Sequence, residues 1–409
     1  MSLQMLDAGL REDLRRLHTE GRAKPPERVI TGYTPADGTR GPRYMLDGQG
    51  DKRFLRMNSN SYLSLSHHPR LIAAADRAAH AFGVGPGAVR FIDGTFSDHV
   101  GLEKRIAAFM GRPAAKIFNS AYTTNLGLAL SIQNKKTFWI GDQLNHNCII
   151  RAMRIANVPR EHKAIYPHND LSQLKAHIEA VPDGIERVVV IFDGVFSMRG
   201  DNAPIDQINE ILAPHRGRFS QGLITIADDS HGVGAYGLTG RGTEEICGAR
   251  ADVVVGTFGK AFGVNGGFVV GSETLMETIR QKADTYIYTN PLSVADCAAA
   301  IEAVEVADSA EGRSRLADVR ARCAQFRAGL EVLGIESIPG DHPVIPLMIR
   351  DTDRCRALVE GLFERGVLVV GLNYPVVPKG AEAIRVQINA AHTAADIDTL
   401  LGHLEDLTR

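Results

Sequence analysis

The apolar run Val253-Val254-Val255-Gly256 sets the strongest limit on what this chain can fold into. It leads into Thr257-Phe258-Gly259-Lys260-Ala261-Phe262-Gly263, and Gly266-Gly267-Phe268-Val269-Val270 follows. Apolar runs of this length, rich in β-branched residues and bounded by glycine, predict buried strands. Lys260 then falls where a buried strand ends, among small residues. Lysines ordinarily sit on polar faces, and an isolated lysine at such a place is ordinarily a loop residue. An ammonium withdrawn from water, however, loses pKa and becomes a nucleophilic amine able to form a Schiff base.

Leu223-Ile224-Thr225-Ile226-Ala227 predicts a second buried strand, and it runs into Asp228-Asp229-Ser230-His231-Gly232-Val233-Gly234. Alone, Asp-Asp-Ser-His would serve equally well as a helix cap. Beside a strand that ends at a lysine, it matches what pyridoxal phosphate (PLP) requires. The ring nitrogen of PLP must stay protonated, and so face a carboxylate, to act as an electron sink. The three-residue step from Asp228 to His231 lets one reach the ring nitrogen and the other the ring hydroxyl. Upstream, residues 187–192 predict a strand and 207–212 a helix leading to the Asp228 strand. Strand–helix–strand units with functional residues at the carboxyl ends mark an open α/β sheet.

Bulk properties narrow the class. A chain of 409 residues, 44% apolar and 23% charged, is expected to be a soluble globular protein with one large and one smaller domain. A net charge of −2 gives no footing for nucleic acid or an anionic membrane surface. The cysteines, at 148, 247, 297, 323 and 355, are odd in number and scattered, with no CxxC. That argues against a metal site and a disulfide framework and fits a reducing cytoplasm. Residues 1–15 are polar and charged and are read as carrying no signal peptide, and no apolar run approaches the ~20 residues that span a bilayer.

In chain order, residues 3–21 predict an amphipathic helix. Residues 22–53, rich in Pro, Gly and Arg, read as an extended arm of a kind that covers a partner subunit. A loop at 57–65 holds Asn60, and Pro69 starts a helix over 69–82. A turn cluster at 83–87 and a helix at 100–110 precede a short strand at 116–118. That strand runs into Asn119-Ser120-Ala121-Tyr122-Thr123-Thr124-Asn125. Small and hydroxyl residues between a strand and an apolar helix favour an anion, through free backbone N–H groups and the helix dipole, although many helix caps share the pattern. His146 follows; a lone histidine is more often a satisfied polar residue than a functional one. From 293 the pattern is helical to 333, with a break near Gly312. Strands at 344–349, 366–370 and 383–389 then alternate with helices at 353–365 and from 394. The expected division is 1–57 for the helix and arm, 58–292 for a large domain and 293–409 for a small one.

With these residues in place, the chain resembles the α-oxoamine synthases, PLP enzymes that join an amino acid to an acyl-CoA. The likeness runs nearly end to end. It rests on Glu27-Arg28-Val29-Ile30-Thr31, Val89-Arg90-Phe91-Ile92-Asp93-Gly94-Thr95, Asp193-Gly194-Val195-Phe196-Ser197-Met198, and Tyr374-Pro375-Val376-Val377-Pro378-Lys379-Gly380. The last is followed by Ile384-Arg385-Val386-Gln387 and Ala390-Ala391-His392-Thr393. The resemblance implies an α/β protein of PLP fold type I (aspartate-aminotransferase-like), with a mostly parallel sheet in the large domain and a smaller α+β C-terminal domain.

The resemblance also implies roles. Lys260 carries the cofactor as a Schiff base and moves the α-proton. Asp228 pairs with the ring nitrogen, and His231 and Ser197 contact the ring hydroxyl. His146 stacks on the ring and helps polarise the thioester. Ser120, Ala121 and Tyr122, with Thr257, hold the phosphate. Thr289 reaches a neighbouring subunit's phosphate, which implies a homodimer with shared active sites. Asn60 and Arg385 bind the amino-acid carboxylate, for which the guanidinium fork is matched, and Arg28 joins the substrate-binding set. Within the family the likeness is strongest to members that condense glycine with acetyl-CoA. Two departures bear on substrate identity. Asn147 and Cys148 replace small neutral residues beside His146, and Arg151 replaces an acid. The turn Gly263-Val264-Asn265-Gly266-Gly267 is shorter by one residue and nearer the serine-using, long-chain branch. Serine or alanine as donor, or a longer acyl-CoA, with loss of CO2, is therefore the alternative. Further readings are a PLP aminotransferase or aldolase, and a silent partner subunit, which would lack Lys260.

Overall fold

Seven strands make the central sheet of this computed structural model, in the order Ala114–Phe118, Gly267–Gly271, Val253–Thr257, Leu223–Asp228, Arg187–Asp193, Thr137–Asp142, Lys163–Tyr166. Gly267–Gly271 runs antiparallel to both of its neighbours. The remaining pairs are parallel. The structure describes residues 2–374 and 377–408; Pro375 and Val376, inside one of the quoted segments, lie outside the described residues. The run from Val188 to Val190 is wholly buried because helices cover both faces of the sheet. Alternate residues split between the layers: Val188, Val190 and Val254 pack with Leu102, Ile106 and Phe262, while Val189, Ile191 and Val255 pack with Leu128, Ile149 and Met276. This is the PLP fold type I architecture.

Parallel strands deliver their carboxyl ends to one edge of the sheet, where α/β proteins bind ligands. The register does more than that here. Asp193 and Asp228 are direct partners across adjacent strands, and Asp228 also faces Val255 on the Lys260 strand.

The arm is more ordered than its composition suggests. Ile30–Thr34, Arg43–Leu46 and Phe54–Arg56 form a four-stranded sheet with Val367–Leu368. Asp396 accepts a hydrogen bond from the Gly41 N–H at 2.8 Å and pairs with Arg43 at 2.5 Å. The arm therefore packs on the C-terminal part of its own chain. Helix Ser2–Thr19, by contrast, has no buried residue. A three-stranded sheet, Val344–Met348, Ala383–Gln387 and Val370–Leu372, completes the C-terminal part.

Several boundaries differ from expectation for physical reasons. The helical break falls at Asp308 and Ser309, not at Gly312; helices Val294–Ala307 and Ala310–Val332 flank it. Ser309 caps the second helix, and Gly312 lies inside its first turn, where a Cβ would stand 2.2 Å from the Ala307 carbonyl oxygen. The strand expected at 366–370 is two short strands in different sheets, Val367–Leu368 and Val370–Leu372. Strands Thr137–Asp142 and Lys163–Tyr166 escaped sequence reading; the second is a short edge strand with a half-buried pattern. No helix among the described residues is long and apolar enough to cross a membrane.

One buried ion cluster holds the loop after Thr137–Asp142, which carries His146. His168 sits between Asp142, at 3.3 Å, and Asp201, at 3.1 Å. Asp142 also accepts from the N–H groups of Leu144 and Asn169, each at 2.8 Å. Burial opposes the charge on His168, but the hydrogen bonds to Asp142 and Asp201 outweigh it and raise its pKa to about 9. A raised folded-state pKa adds stability that is full below the unfolded value of about 6.5 and is lost as pH rises through about 9. Discounted for solvent screening, this is about 1–2 kcal/mol. Tm is expected to fall between pH 7 and pH 10, and His168→Gln to lower Tm at pH 7 and flatten that fall. An unaltered slope in scanning calorimetry would refute the assignment.

Candidate active site

Lys260 stands at the tip of a tight connection between two antiparallel strands. Phe258 N–H donates to Gly266 O at 2.9 Å, Val264 N–H to Phe258 O at 3.0 Å, and Gly263 N–H to Lys260 O at 3.0 Å. Phe258, Ala261 and Phe262 are buried and anchor the turn from below. Gly263 takes a positive φ of 71°, and a Cβ there would stand 2.6 Å from Ser66 N. The turn thus presses against the loop that carries Asn60. Burial draws the Lys260 ammonium pKa down to about 8, against the pull of Asp228 and Asp193.

Lys260 lines a cavity with Ala121, Tyr122, His146, Ser197, Asp228 and His231. The chain brings these seven expected residues together from five separate segments. Asp228 Oδ1 accepts from Ser230 Oγ at 2.6 Å and Ser230 N at 3.2 Å, and Oδ2 accepts from Asn125 Nδ2 at 2.6 Å. Asp229 turns the other way, as alternation along a strand requires. It accepts from Thr243 N and Oγ1, each at 2.7 Å, and so caps helix Thr243–Cys247.

Burial draws both histidines of the crevice toward the neutral form. His231 Nδ1 lies 2.7 Å from Tyr62 Oη. Burial raises the Tyr62 phenol pKa and pushes the His231 pKa far down, so the two meet as neutral groups, and when Tyr62 donates, His231 carries its own proton on Nε2. His146 caps helix Asn147–Ile155, its Nδ1 accepting from Cys148 N at 3.3 Å, so its neutral ring also carries the proton on Nε2. Burial lowers the His146 pKa as well. Cys148 Sγ lies 2.9 Å from the same Nδ1, and burial raises its pKa, which keeps it a thiol.

Sequence reading missed three members of the site. Both oxygens of Asp193 lie 3.2 Å from His146 N, so the carboxyl fixes the His146 loop. Burial and the nearby Asp228 raise the pKa of Asp193 well above the ordinary range. Its signal was a position at the end of a buried strand, the same that marked Asp228. Asn125 and Tyr62 had no such mark; only packing shows that they touch Asp228 and His231.

Ser120 caps helix Ala121–Ile132, its Oγ accepting from Thr123 N at 3.1 Å. The N–H groups of Ala121 and Tyr122 lie in the first turn and have no acceptor within the helix. A Cβ on Gly267 would stand 2.2 Å from Ala121 N, so only glycine lets this first turn sit against the sheet. Gly267→Ala is expected to cost about 1–3 kcal/mol by overpacking. It should also weaken binding of pyridoxal phosphate more than that of pyridoxal, because the anion cradle shifts. Equal weakening of both in fluorescence titrations would show that the first turn is not the phosphate site.

Other expected residues are placed differently. Arg385 Nη1 donates to Ser197 O at 3.0 Å, while its Nε is buried without a partner. Asn60 Oδ1 accepts from Gln387 Nε2. Asn60 and Lys260 line a second, larger cavity of about 480 Å³. Thr257 Oγ1 donates to Gly266 O at 2.8 Å and accepts from Gly259 N at 3.1 Å, which ties the lysine turn. Thr289 sits beside Asn119, 3.4 Å from its Nδ2, and does not join the Lys260 cavity of its own chain. Arg28 is exposed and stacks over Phe363, its guanidinium carbon 4.2 Å from the ring centre. Within one chain Arg28 is not brought to the site.

The donor set fits PLP. The Asp228 carboxyl held by Ser230 and Asn125, a lysine with a lowered pKa, the imidazoles of His146 and His231 and a cradle of free N–H groups converge on one crevice, and Arg385 reaches its edge at Ser197 O. Comparison with known proteins agrees. The aminotransferase class I and II family matches residues 52–404. An 8-amino-7-oxononanoate synthase of Thermosipho melanesiensis is 35% identical, over 92% of this chain and 93% of its own. The mitochondrial 2-amino-3-ketobutyrate coenzyme A ligase of Bos taurus is 34% identical, over 97% and 91%. A serine palmitoyltransferase from S. paucimobilis, solved with a bound PLP–myriocin aldimine, superposes with a TM-score of 0.86 at 26% identity, over 98% and 97%. The chain belongs to the aminotransferase class I and II family, and within it to the PLP-dependent α-oxoamine synthases, acyltransferases that use an amino acid and an acyl-CoA.

Proposed function

We propose that this enzyme condenses glycine with a short acyl-CoA, acetyl-CoA foremost, to a 2-amino-3-keto acid or, with loss of CO2, an α-amino ketone, with release of CoA. One observation supports the short chain. The 480 Å³ cavity that Lys260 opens onto carries Asn58, Ser59, Asn60, Ser61 and Asn265 opposite a smaller apolar side with Leu71, Ile72 and Val264, and the polar side would strand a long alkyl chain. Its likeness to proteins named 2-amino-3-ketobutyrate coenzyme A ligase supports glycine. A second reading keeps the chemistry and changes the pair, with serine or alanine as donor or a longer acyl-CoA. The Asn147, Cys148 and Arg151 departures favour it, as does equal likeness to proteins named 8-amino-7-oxononanoate synthase.

PLP, once bound, supplies an electron sink for the negative charge that develops on the amino-acid α-carbon. The chain's own groups do the rest. Lys260 Nζ, with its pKa near 8, takes the α-proton. Asp228 presents a carboxyl whose oxygens Ser230 and Asn125 hold in place. His231 donates from Nε2, and Tyr62 fixes that tautomer. His146 directs its Nε2–H at the thioester carbonyl oxygen. Arg385, with Nε free, takes the amino-acid carboxylate. Ser120, Ala121 and Tyr122 cradle the phosphate.

The active form is a homodimer in this reading. Phe91, Ile92 and Tyr288 stand 61%, 57% and 75% exposed in one chain, and Thr289 and Arg28 act across the interface. The test is an absorption titration with glycine, L-serine and L-alanine, followed by acyl-CoAs of increasing length while free thiol is measured. A spectral response to glycine and thiol release with acetyl-CoA is the expected result. A response only to serine or alanine, or only to long acyl-CoAs, would replace it with the second reading. Absence of thiol release with every pair would remove the acyl-CoA reading and promote an aminotransferase or aldolase.

A further inference from the structure

Arg56 is the feature of the crevice that no role above uses. It ends strand Phe54–Arg56 and lines the 480 Å³ cavity that also holds Lys260 and Asn60. It lines a second cleft of about 130 Å³ as well, and Ser59, Ser61 and Ser66 are common to both. Arg56 therefore marks the passage between them. Its side chain is half-buried. Among the described residues its guanidinium has neither a carboxylate partner nor a hydrogen-bond acceptor; its one contact of note is the face of Tyr44, 5.3 Å from the ring centre. Other half-buried arginines of this chain are engaged: Arg43 with Asp396, Arg105 with Glu305 and Asp308, Arg385 with Ser197 O. A guanidinium keeps its charge at every physiological pH and carries five donors in a planar fork that matches an oxyanion.

The second cleft has no other fixed charge. Its histidines, His67 and His392, are both drawn toward the neutral form by burial, and His67 lies flat against Tyr33 with ring centres 3.7 Å apart. Its remaining polar wall is hydroxyls and an amide, Ser59, Ser61, Ser64, Ser66, Tyr33 and Asn389 among them. One permanent cation among neutral donors is a setting for an anion. The one acid on the larger cavity, Asp296, is tied to Ser293 at 2.7 Å.

We propose that Arg56 is a specificity-determining residue that binds an oxyanion of the acyl donor, outside the amino-acid site. This rests on the acyl-CoA reading. The oxyanion has two possible sources with one chemistry: a carboxylate at the far end of the acyl chain, or a phosphate of the CoA moiety. Both would place their charge beyond the thioester, which has to lie within reach of Lys260.

The test uses the PLP-loaded enzyme and its Arg56→Gln and Arg56→Lys variants, with PLP loading and thermal midpoint as controls for folding. Four donors are compared: acetyl-CoA, glutaryl-CoA, and the same two acyl groups on N-acetylcysteamine, which has no phosphate. A charge-assisted hydrogen bond lost from a half-buried site corresponds to about a tenfold to hundredfold loss of affinity. Arg56→Gln is expected to raise KM by that factor for the donors that carry the recognised anion, with kcat little affected. Arg56→Lys, keeping the charge without the fork, is expected to fall between. Loss with both CoA thioesters and neither cysteamine thioester identifies the phosphate. Loss with both glutaryl donors identifies the carboxylate. An equal change for all four donors, or none, overturns the proposal. Calorimetric binding of CoA and glutaryl-CoA to parent and Arg56→Gln separates the two readings. If the parent releases no thiol from any donor, the acyltransferase reading fails, while equal binding by parent and variant still refutes the role of Arg56.

Discussion

Replacing Lys260 by alanine is expected to end covalent capture of PLP and to lower turnover by about 10⁴-fold or more. Proton transfer alone accounts for about 10²–10⁴ of such a loss. The residue sits in a turn whose backbone bonds do not involve its side chain, so the protein should fold. Borohydride treatment of the loaded parent should fix the cofactor to the chain, and the alanine variant should release it on denaturation. A kinetic signature accompanies this. Only the free amine attacks the cofactor aldehyde, and the Lys260 pKa lies near 8. Below that value the capture rate should rise about tenfold per pH unit, and above it level off. Cofactor that stays fixed in the alanine variant would mean that another lysine is the carrier.

The second large effect belongs to Asp228→Asn. The amide keeps the size of the carboxyl but removes the charge that a protonated ring nitrogen requires, and kcat is expected to fall by about 10²–10³. A structural role alone would not produce the other consequence. After burial, the charge of Asp228 is the foremost influence on the Lys260 pKa, and it acts to raise it. Removing that charge should move the midpoint of cofactor capture to lower pH. It should also ease ionisation of Asp193, which Asp228 opposes. A capture midpoint unchanged from the parent would break the electrostatic link between Asp228 and Lys260.

These two residues were legible because Asp228 ends a run of β-branched residues and Lys260 follows one within three positions, and a charged group so close to a buried run is conspicuous in one dimension. The same logic applied to Asp193, yet its motif carried a resemblance and no role. Its task, holding the His146 N–H, arises from strand pairing that puts it beside Asp228. Asn125 and Tyr62 could not be found that way. Asn125 reaches Asp228 from a helix 103 positions earlier, and Tyr62 reaches His231 across 169 positions. Such contacts follow from layers packing, and no local periodicity encodes them.

By itself the sequence determined the alternation of buried strands and helices, the strand ends that bear Lys260 and Asp228, and the family. These depend on local pattern and residue chemistry, which a linear chain already contains. The tertiary structure alone decided that Asn125 reaches Asp228 and that Tyr62 reaches His231. It also decided that Thr257 ties the lysine turn, that Arg28 lies on Phe363, and that the arm pairs with Val367–Leu368 in a sheet of its own. Each of these depends on which distant surface a side chain meets, and that is settled only when burial of the apolar faces brings the layers together.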